Sequence, residues 1–411
     1  MRNFKYLILA IVFFAPLSAH AGTFEVSGWI PYWRTATGTA DTLSHLDKLT
    51  EVNPFVYTLK SDGTLVDNGK LDEEPWKSFI AEAKRKKVRV IPTIMTSNGA
   101  LLHEILSNQK KRIALEDLIT KEVKTKGYDG IDIDFEGKRA EDKKNFATFL
   151  KGLYQRMGKK WVMCTIESRT PLDSRYYGAE IPPDAEIYAN DFVAINKYCD
   201  RVRIMAYDQQ GIDLKLASAA ASSSQLYAPL ADPAWVEKVV NLAAKDIKRS
   251  KIMIGVPTYG YEYSVTAYAN NEYIYDILWS FNPGYATQIA QQYNVAPTRS
   301  PLSGEMMLTY VPSDSASSSA PVPPNAATGD LQPVSVQQAP ASGLIAAAAA
   351  SMYATNYNSH LSFRMLDWVD AYAVQQKIDL AKKLKVRGIS IFKLDGGQDP
   401  AIWNTLQGVK K

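Results

Sequence analysis

Eight short β-branched and aromatic runs punctuate the chain, and segments with helical spacing separate them. The runs cover residues 24–33, 53–59, 88–95, 128–136, 161–168, 201–208, 251–259 and 387–394. Between them, residues 142–157 place Phe146, Phe149, Leu150 and Leu153 three and four apart. Residues 371–386 do the same with Val374, Ile378, Ala381 and Leu384. Strands that alternate with helices must pair in parallel, because each helix carries the chain back to its starting edge. Eight such units in a chain of 411 residues predict an α/β fold, a (β/α)8 TIM barrel. A doubly wound open sheet is the alternative, but no glycine-rich turn follows the first strand to support it. The spacing is regular for seven strands and then breaks: more than 120 residues separate strand seven from strand eight. The barrel domain is therefore expected over residues 22–411, with residues 260–370 inserted between strands 7 and 8. Within that insertion, residues 313–342 are rich in Ser, Ala and Pro. They read as a flexible surface loop, too poor in apolar side chains to order themselves. A second Ser/Ala-rich stretch, residues 217–224, falls in the loop after strand six.

Charge and cysteine content narrow the function classes. Lys plus Arg number 47 against 43 Asp plus Glu, a formal +4 that argues for neither a nucleic-acid nor an anionic-membrane partner. The local run Lys84, Arg85, Lys86 and Lys87 reads as the solvated end of a helix feeding strand three. Residues 1–21 combine a basic start (Arg2, Lys5), an apolar stretch and the small-x-small site Ala19-His20-Ala21. That is the pattern of a cleavable signal peptide, too short to span a membrane. It implies a secreted or periplasmic chain. No Cys follows the cut to take a lipid anchor. Two cysteines, Cys164 and Cys199, read as buried thiols in or beside neighbouring strands; export permits a disulfide but two residues make no framework. With four His in the chain and none at ligand spacing from either Cys, no metal site and no cofactor are expected.

The sharpest local signal is Tyr128-Asp129-Gly130-Ile131-Asp132-Ile133-Asp134-Phe135-Glu136. A strand's two-residue period puts Asp132, Asp134 and Glu136 on one face and Ile131, Ile133 and Phe135 on the other. In a barrel the apolar face packs on the helices and the acidic face points inward. Three inward carboxylates repel one another and are desolvated, so at least one must hold its proton. Glu136 ends the row at the C-terminal mouth, where barrel enzymes do chemistry. A carboxylic acid that stays protonated near neutral pH is what a glycosidic oxygen needs as proton donor. Two other readings use the same residues: a divalent-cation cluster, and a buried structural network. One strand supplying every ligand is unusual for a cation site.

The segment Asp129-Gly130-Ile131-Asp132-Ile133-Asp134-Phe135-Glu136 resembles the strand-four signature of family 18 glycoside hydrolases, the chitinase family. Other segments agree in order. Gly28-Trp29-Ile30-Pro31-Tyr32-Trp33 resembles the family's first strand, Met205-Ala206-Tyr207-Asp208 its sixth, and Gly255-Val256-Pro257-Thr258-Tyr259-Gly260 its seventh. Trp368-Val369-Asp370-Ala371 followed by Gly388-Ile389-Ser390-Ile391-Phe392 is similar to its closing unit. Ala228-Pro229-Leu230 with Trp235-Val236 is closest to the spore-cortex and cell-wall branch. The resemblance implies an exported retaining hydrolase of β-1,4-linked N-acetylglucosamine-containing glycans, of chitin or peptidoglycan type, and no metal. It implies substrate-assisted catalysis, in which the 2-acetamido carbonyl attacks the anomeric carbon. Glu136 would be the general acid and base, Asp134 the orienter of the acetamido group, and Asp132 its proton-sharing partner. Tyr207 would hold the acetamido oxygen and Asp208 nearby sugar hydroxyls.

One departure bears on activity. The family usually has Trp in strand eight as the floor of the −1 subsite, and this chain has Phe392, which stacks but lacks the indole donor. That keeps open a chitinase-like lectin with little turnover, although lectin members typically lose the acid that Glu136 supplies here. Asp395 stands where Gly is common. Of the aromatics near strand ends, Trp33 and Tyr259 read as sugar-stacking surfaces, while Trp29, Tyr57 and Tyr261 read first as core. Met205 is expected at the pocket floor. Arg169 and Gln209 follow strand ends and are candidates for bonding substrate hydroxyls.

Overall fold

The computed structural model describes residues 23–269, 272–312 and 341–410. The signal-peptide reading of residues 1–21, and nearly all of the loop expected at 313–342, lie outside the described residues. Eight strands close a barrel: β1 (Glu25–Pro31), β2 (Glu51–Leu59), β3 (Thr93–Thr96), β4 (Gly130–Phe135), β5 (Trp161–Glu167), β6 (Arg201–Met205), β7 (Ile252–Pro257) and β8 (Gly388–Phe392). Each pairs in parallel with the next, and β8 pairs with β1. The (β/α)8 barrel is thus the fold, and the open sheet is excluded by that closure. The third run is interrupted: Arg89–Val90 pairs with β2, then the ladder restarts at Thr93. Pro92 stands in the gap, since it has no N–H to give the ladder, and its carbonyl still accepts from Asp132 N at 2.9 Å.

Period two decides the faces of β4. Ile131, Ile133 and Phe135 are buried, and Phe135 stacks on Phe149 at 5.6 Å between ring centroids, with Phe146 at 6.3 Å. Both partners lie on the helix Lys143–Met157. Each such ring taken out of water contributes about 2–3 kcal/mol, so a one-residue slip of β4 would expose a whole apolar row. The acids therefore face inward because Ile131, Ile133 and Phe135 take the face that packs on the helices.

The barrel interior is charged where such barrels are usually filled by branched aliphatics. At the N-terminal end, Glu25 pairs with Arg201 and Arg387 at 2.7 Å each and with Arg89 at 3.2 Å. Glu51 takes Arg89 at 3.1 Å, Asn53 Nδ2 at 2.8 Å, and the fully buried Arg203. Arg203 then reaches up to Asp132 on β4 at 2.7 Å, with its guanidinium 5.2 Å from the Trp29 ring.

The segment between β7 and β8 carries a five-stranded antiparallel sheet in the order Glu272–Phe281, Gly260–Tyr268, His360–Trp368, Met306–Tyr310 and Thr298–Arg299. Helices Pro283–Gln292 and Ile345–Tyr357 accompany it. Residues 217–224, read from composition as loop, fall largely in a helix, Leu214–Ser222. Its alanines favour the helix, and Asp213 caps it by accepting from Leu216 N at 3.0 Å. The basic run at 84–87 does end a helix, Trp76–Arg85. Among the described residues no helix is long and apolar enough to cross a membrane.

The two cysteines are not free thiols: Cys164 of β5 is bonded to Cys199, just before β6. Parallel neighbours bring their Cα atoms to 5.9 Å although 35 residues separate them in sequence. Sequence spacing carries no record of that approach. Closing such a loop restricts the unfolded chain, so Cys199→Ser is expected to lower stability by about 2–3 kcal/mol. A urea titration of the variant against the oxidised parent measures it, and equal midpoints would show that the bond adds nothing.

Candidate active site

Asp132, the innermost acid, is completely buried and clamped. Its Oδ2 accepts from Trp29 Nε1 at 3.1 Å and Thr93 Oγ1 at 2.9 Å and faces Arg203 Nη1 at 2.7 Å. Its Oδ1 accepts from Thr165 Oγ1 at 2.9 Å. Both oxygens are therefore engaged, by donors from β1, β3 and β5 and by the guanidinium of β6. Two residues on, Asp134 is also buried, but its Oδ1 has no hydrogen-bond partner. Burial and the negative charges of Glu136 and Asp132 push the Asp134 carboxyl well above the usual carboxylate range. The nearby Lys138 ammonium works against that rise.

Glu136 follows β4 directly and is half-buried at the C-terminal mouth. Burial, then the charges of Glu167 and Asp208, raise its pKa, while Lys138 opposes them. Glu167 at the end of β5 and Lys138 were not singled out from the sequence. Glu167 accepts from Gly137 N at 3.2 Å and Asn190 Nδ2 at 2.6 Å, and pairs with Lys138 at 3.4 Å. The Lys138 side chain is almost wholly buried, donates to the Phe135 carbonyl, and is held below the ordinary lysine range by that burial. The available signal was parity: Glu167 is the inward residue two beyond Thr165 on β5.

Tyr207 and Asp208 follow β6. The Tyr207 ring lies nearly parallel to Phe392, 5.8 Å between centroids and 15° between planes. This stacking requires Gly255 on β7, where a Cβ would stand 2.7 Å from a Tyr207 ring carbon. The Tyr207 hydroxyl bonds no other described residue. Burial and four surrounding acids keep it from ionising. Asp208 sits at φ 57°, a left-handed conformation uncommon outside glycine. Its exposed carboxylate accepts from Tyr259 Oη at 2.5 Å and Tyr261 Oη at 2.9 Å, both through Oδ1. Tyr259 is therefore bound into the site by its hydroxyl, and its ring meets Phe392 edge-on at 6.2 Å.

Phe392 forms the centre of an aromatic floor, with Trp29 and Phe55 each 5.9 Å away, edge to face. Trp33 is half exposed and stands edge-on to Phe55 at 5.8 Å. Met205 is partly buried against the same core. The structure thus brings Asp132, Asp134, Glu136, Tyr207, Asp208, Tyr259 and Phe392 around one mouth. It does not bring Arg169 and Gln209 into it as free groups. Arg169 is sandwiched between Tyr188 and Phe192, at 3.8 and 3.9 Å, and holds the Asn190 carbonyl. Gln209 is buried, donating to Tyr227 Oη and accepting from Asp232 N at 2.8 Å each. Tyr57 bonds Glu122 at 2.8 Å in the core. Among the described residues no group of three or more His, Cys, Asp or Glu side chains is arranged to hold a metal ion. A cavity of about 750 Å3 lies apart from these acids, between the helix Leu214–Ser222 and the strand Glu272–Phe281.

A parallel barrel with a row of acids rising through β4 to its C-terminal mouth places its carboxylates where barrel enzymes carry their active sites. The chain belongs to the glycosyl hydrolases family 18, whose model matches residues 28–397. An uncharacterized glycosylase of Bacillus subtilis (strain 168), YvbX, is 26% identical over 235 residues, 55% of this chain. The match spans 63% of that relative's length. Among solved structures, the spore cortex-lytic enzyme SleL of Bacillus megaterium QM B1551 superimposes with a TM-score of 0.65 at 19% identity, covering 94% of this chain and 74% of that one. A chitinase from Chromobacterium violaceum ATCC 12472 gives 0.64 at 16% identity, covering 94% and 98%.

Proposed function

We propose that this chain is an exported, retaining glycoside hydrolase that cleaves β-1,4-linked N-acetylglucosamine-containing glycans with the help of the substrate's own acetamido group. The observation that carries the reading is the asymmetry along β4: Asp132 held by three donors and a guanidinium, Asp134 with one oxygen unpartnered, and Glu136 half-buried among further acids. Family membership and the glycan-cleaving names of the relatives support it.

In this mechanism Glu136 gives its proton to the leaving glycosidic oxygen. The acetamido carbonyl oxygen attacks C1 as that bond breaks, giving an oxazolinium ion and a shortened glycan. The unpartnered Asp134 Oδ1 accepts the acetamido N–H, and the Tyr207 hydroxyl donates to the acetamido oxygen. The proton shared on the inner pair rests on Asp134, because Asp132 already faces a guanidinium and three neutral donors. Glu136, now ionised, takes a proton from water as the water oxygen adds to C1 and the C1–acetamido oxygen bond breaks, which regenerates the acetamido group, restores the acid and, as the second inversion at C1, retains configuration. Asp132, Asp134 and Glu136 are held in one row along and just beyond β4, and Tyr207 is fixed beside them by its stacking on Phe392, so little reorganisation is needed. The Phe392 floor retains the stacking function without the indole donor. The first product seen by NMR should be the β-anomer, and an α-anomer would reject the oxazolinium route.

The pH profile offers a signed test. Activity needs protonated Glu136, so the alkaline limb follows its pKa, raised above the ordinary carboxyl value. Glu167→Gln removes a negative neighbour and is expected to move that limb to lower pH. Lys138→Met removes the opposing cation and is expected to move it higher. Profiles of kcat measured on N-acetylated oligomers check both signs; a limb that ignores both changes would mean that another group controls it.

A further inference from the structure

We propose that the cavity next to the aromatic floor is a carboxylate-binding subsite, with Arg34 and Lys393 as its cations. The enzyme would then prefer lactyl-bearing, peptidoglycan-type glycan over neutral chitin-type glycan. This deepens the hydrolase reading above and rests on it. The cavity holds about 280 Å3 and shares Trp33 and Tyr259 with the sugar cleft; Arg34, Asn282, Lys393 and Asp395 also line it.

The Arg34 side chain is only 19% exposed, yet its guanidinium makes no hydrogen bond to a described residue. Its Nε is buried with no acceptor at all. A guanidinium whose Nε is withdrawn from water without a hydrogen-bond acceptor would gain from a ligand bearing acceptor oxygens. Its nearest counter-charge, Asp395 Oδ2, is 3.7 Å away and already committed. Lys393 Nζ and Asn282 Nδ2 both donate to that same oxygen, the latter at 3.0 Å. The other oxygen, Oδ1, accepts from Gly397 N at 2.9 Å. Two cations therefore share one occupied carboxylate, leaving the group one positive charge in excess. The catalytic mouth beside it is mostly acidic, with Asp134, Glu136, Glu167 and Asp208 against the one cation Lys138 among the groups described there. A plain N-acetylglucosamine unit would offer this corner hydroxyls only. An aminosugar with a 3-O-lactyl ether offers a carboxylate, which matches the planar guanidinium fork. An acidic residue on an attached peptide stem offers the same chemistry, so the test separates the two.

The substrates are N-acetylglucosamine oligomers, peptide-free murein glycan of equal length, the same glycan with its lactyl carboxyls capped as methylamides, and stem-bearing glycan. The readout is the ratio of kcat/KM on each anionic glycan to that on the neutral oligomer. Arg34→Gln is expected to lower the ratio for peptide-free glycan by about tenfold, with Arg34→Lys in between. Methylamide capping should lower the parent's value by a similar factor. Dependence confined to stem-bearing glycan would assign the subsite to the stem carboxylate instead. Equal ratios in parent and Arg34→Gln on every substrate would overturn the proposal. Calorimetric affinities of Glu136→Gln, with and without Arg34→Gln, for the same glycans decide the subsite independently of turnover. A parent that binds anionic glycan through Arg34 but cleaves nothing would sink the hydrolase reading and keep the subsite.

Discussion

Glu136→Gln is expected to lower kcat on N-acetylated oligomers by about 10^3- to 10^4-fold, with oligosaccharide affinity preserved. The amide keeps the size and hydrogen-bonding reach of the acid but has no proton that a departing oxygen can take. The fold should be indifferent, because Glu136 lies just beyond the end of β4, is only half-buried, and is replaced by a residue of the same size. Losing a negative neighbour also eases the strain on Asp134, whose raised pKa owes part of its rise to Glu136. Binding should therefore hold or improve slightly. Measured kcat within tenfold of the parent would remove Glu136 from the acid role and with it the mechanism proposed above.

The second large effect is on stability. Arg203→Met should cost about 3–5 kcal/mol, because it leaves both Asp132 and Glu51 buried without their shared cation. Methionine fills much of the space, so the loss would be electrostatic more than steric. Adding Asp132→Asn and Glu51→Gln should recover a good part of it, since the charges that needed Arg203 would be gone. Urea unfolding of the single and triple variants tests this. A single variant within 1 kcal/mol of the parent would show that the interior pairs are balanced without Arg203.

How much of this was legible beforehand depended on range. The barrel and the inward face of β4 could be read because strand periodicity is local: Ile131, Ile133 and Phe135 declare their side by being apolar. The same period that places Met205 and Tyr207 inward also places Arg203 inward, two residues below. That clue was present but unused, because an arginine inside a barrel makes sense only once its partner is known. The partner, Glu51, lies 152 residues away. Cys164 and Cys199 were read in or beside neighbouring strands, but the register that brings their Cα atoms to 5.9 Å is set by the closed sheet and left the bond unchosen. Arg169 and Gln209 were placed near the site by strand-end logic, which gives position but not direction. Their side chains turn to Tyr188, Phe192 and Tyr227, which lie on connecting segments whose paths no short-range pattern specifies. Residues 217–224 show a different failure, in which composition suggested a loop while alanine's helical preference and the cap at Asp213 decided otherwise.

The root of the inserted sheet has a practical bearing on protein engineering. Tyr259 and Tyr261 flank the first residue of its first strand, and their hydroxyls together fix Asp208 in its unusual backbone turn. Anyone trimming this chain to a minimal eight-stranded scaffold would find the excision point already inside the machinery. A clean graft would have to keep both phenols, and so the outer lobe cannot be exchanged between homologues as a free-standing cassette.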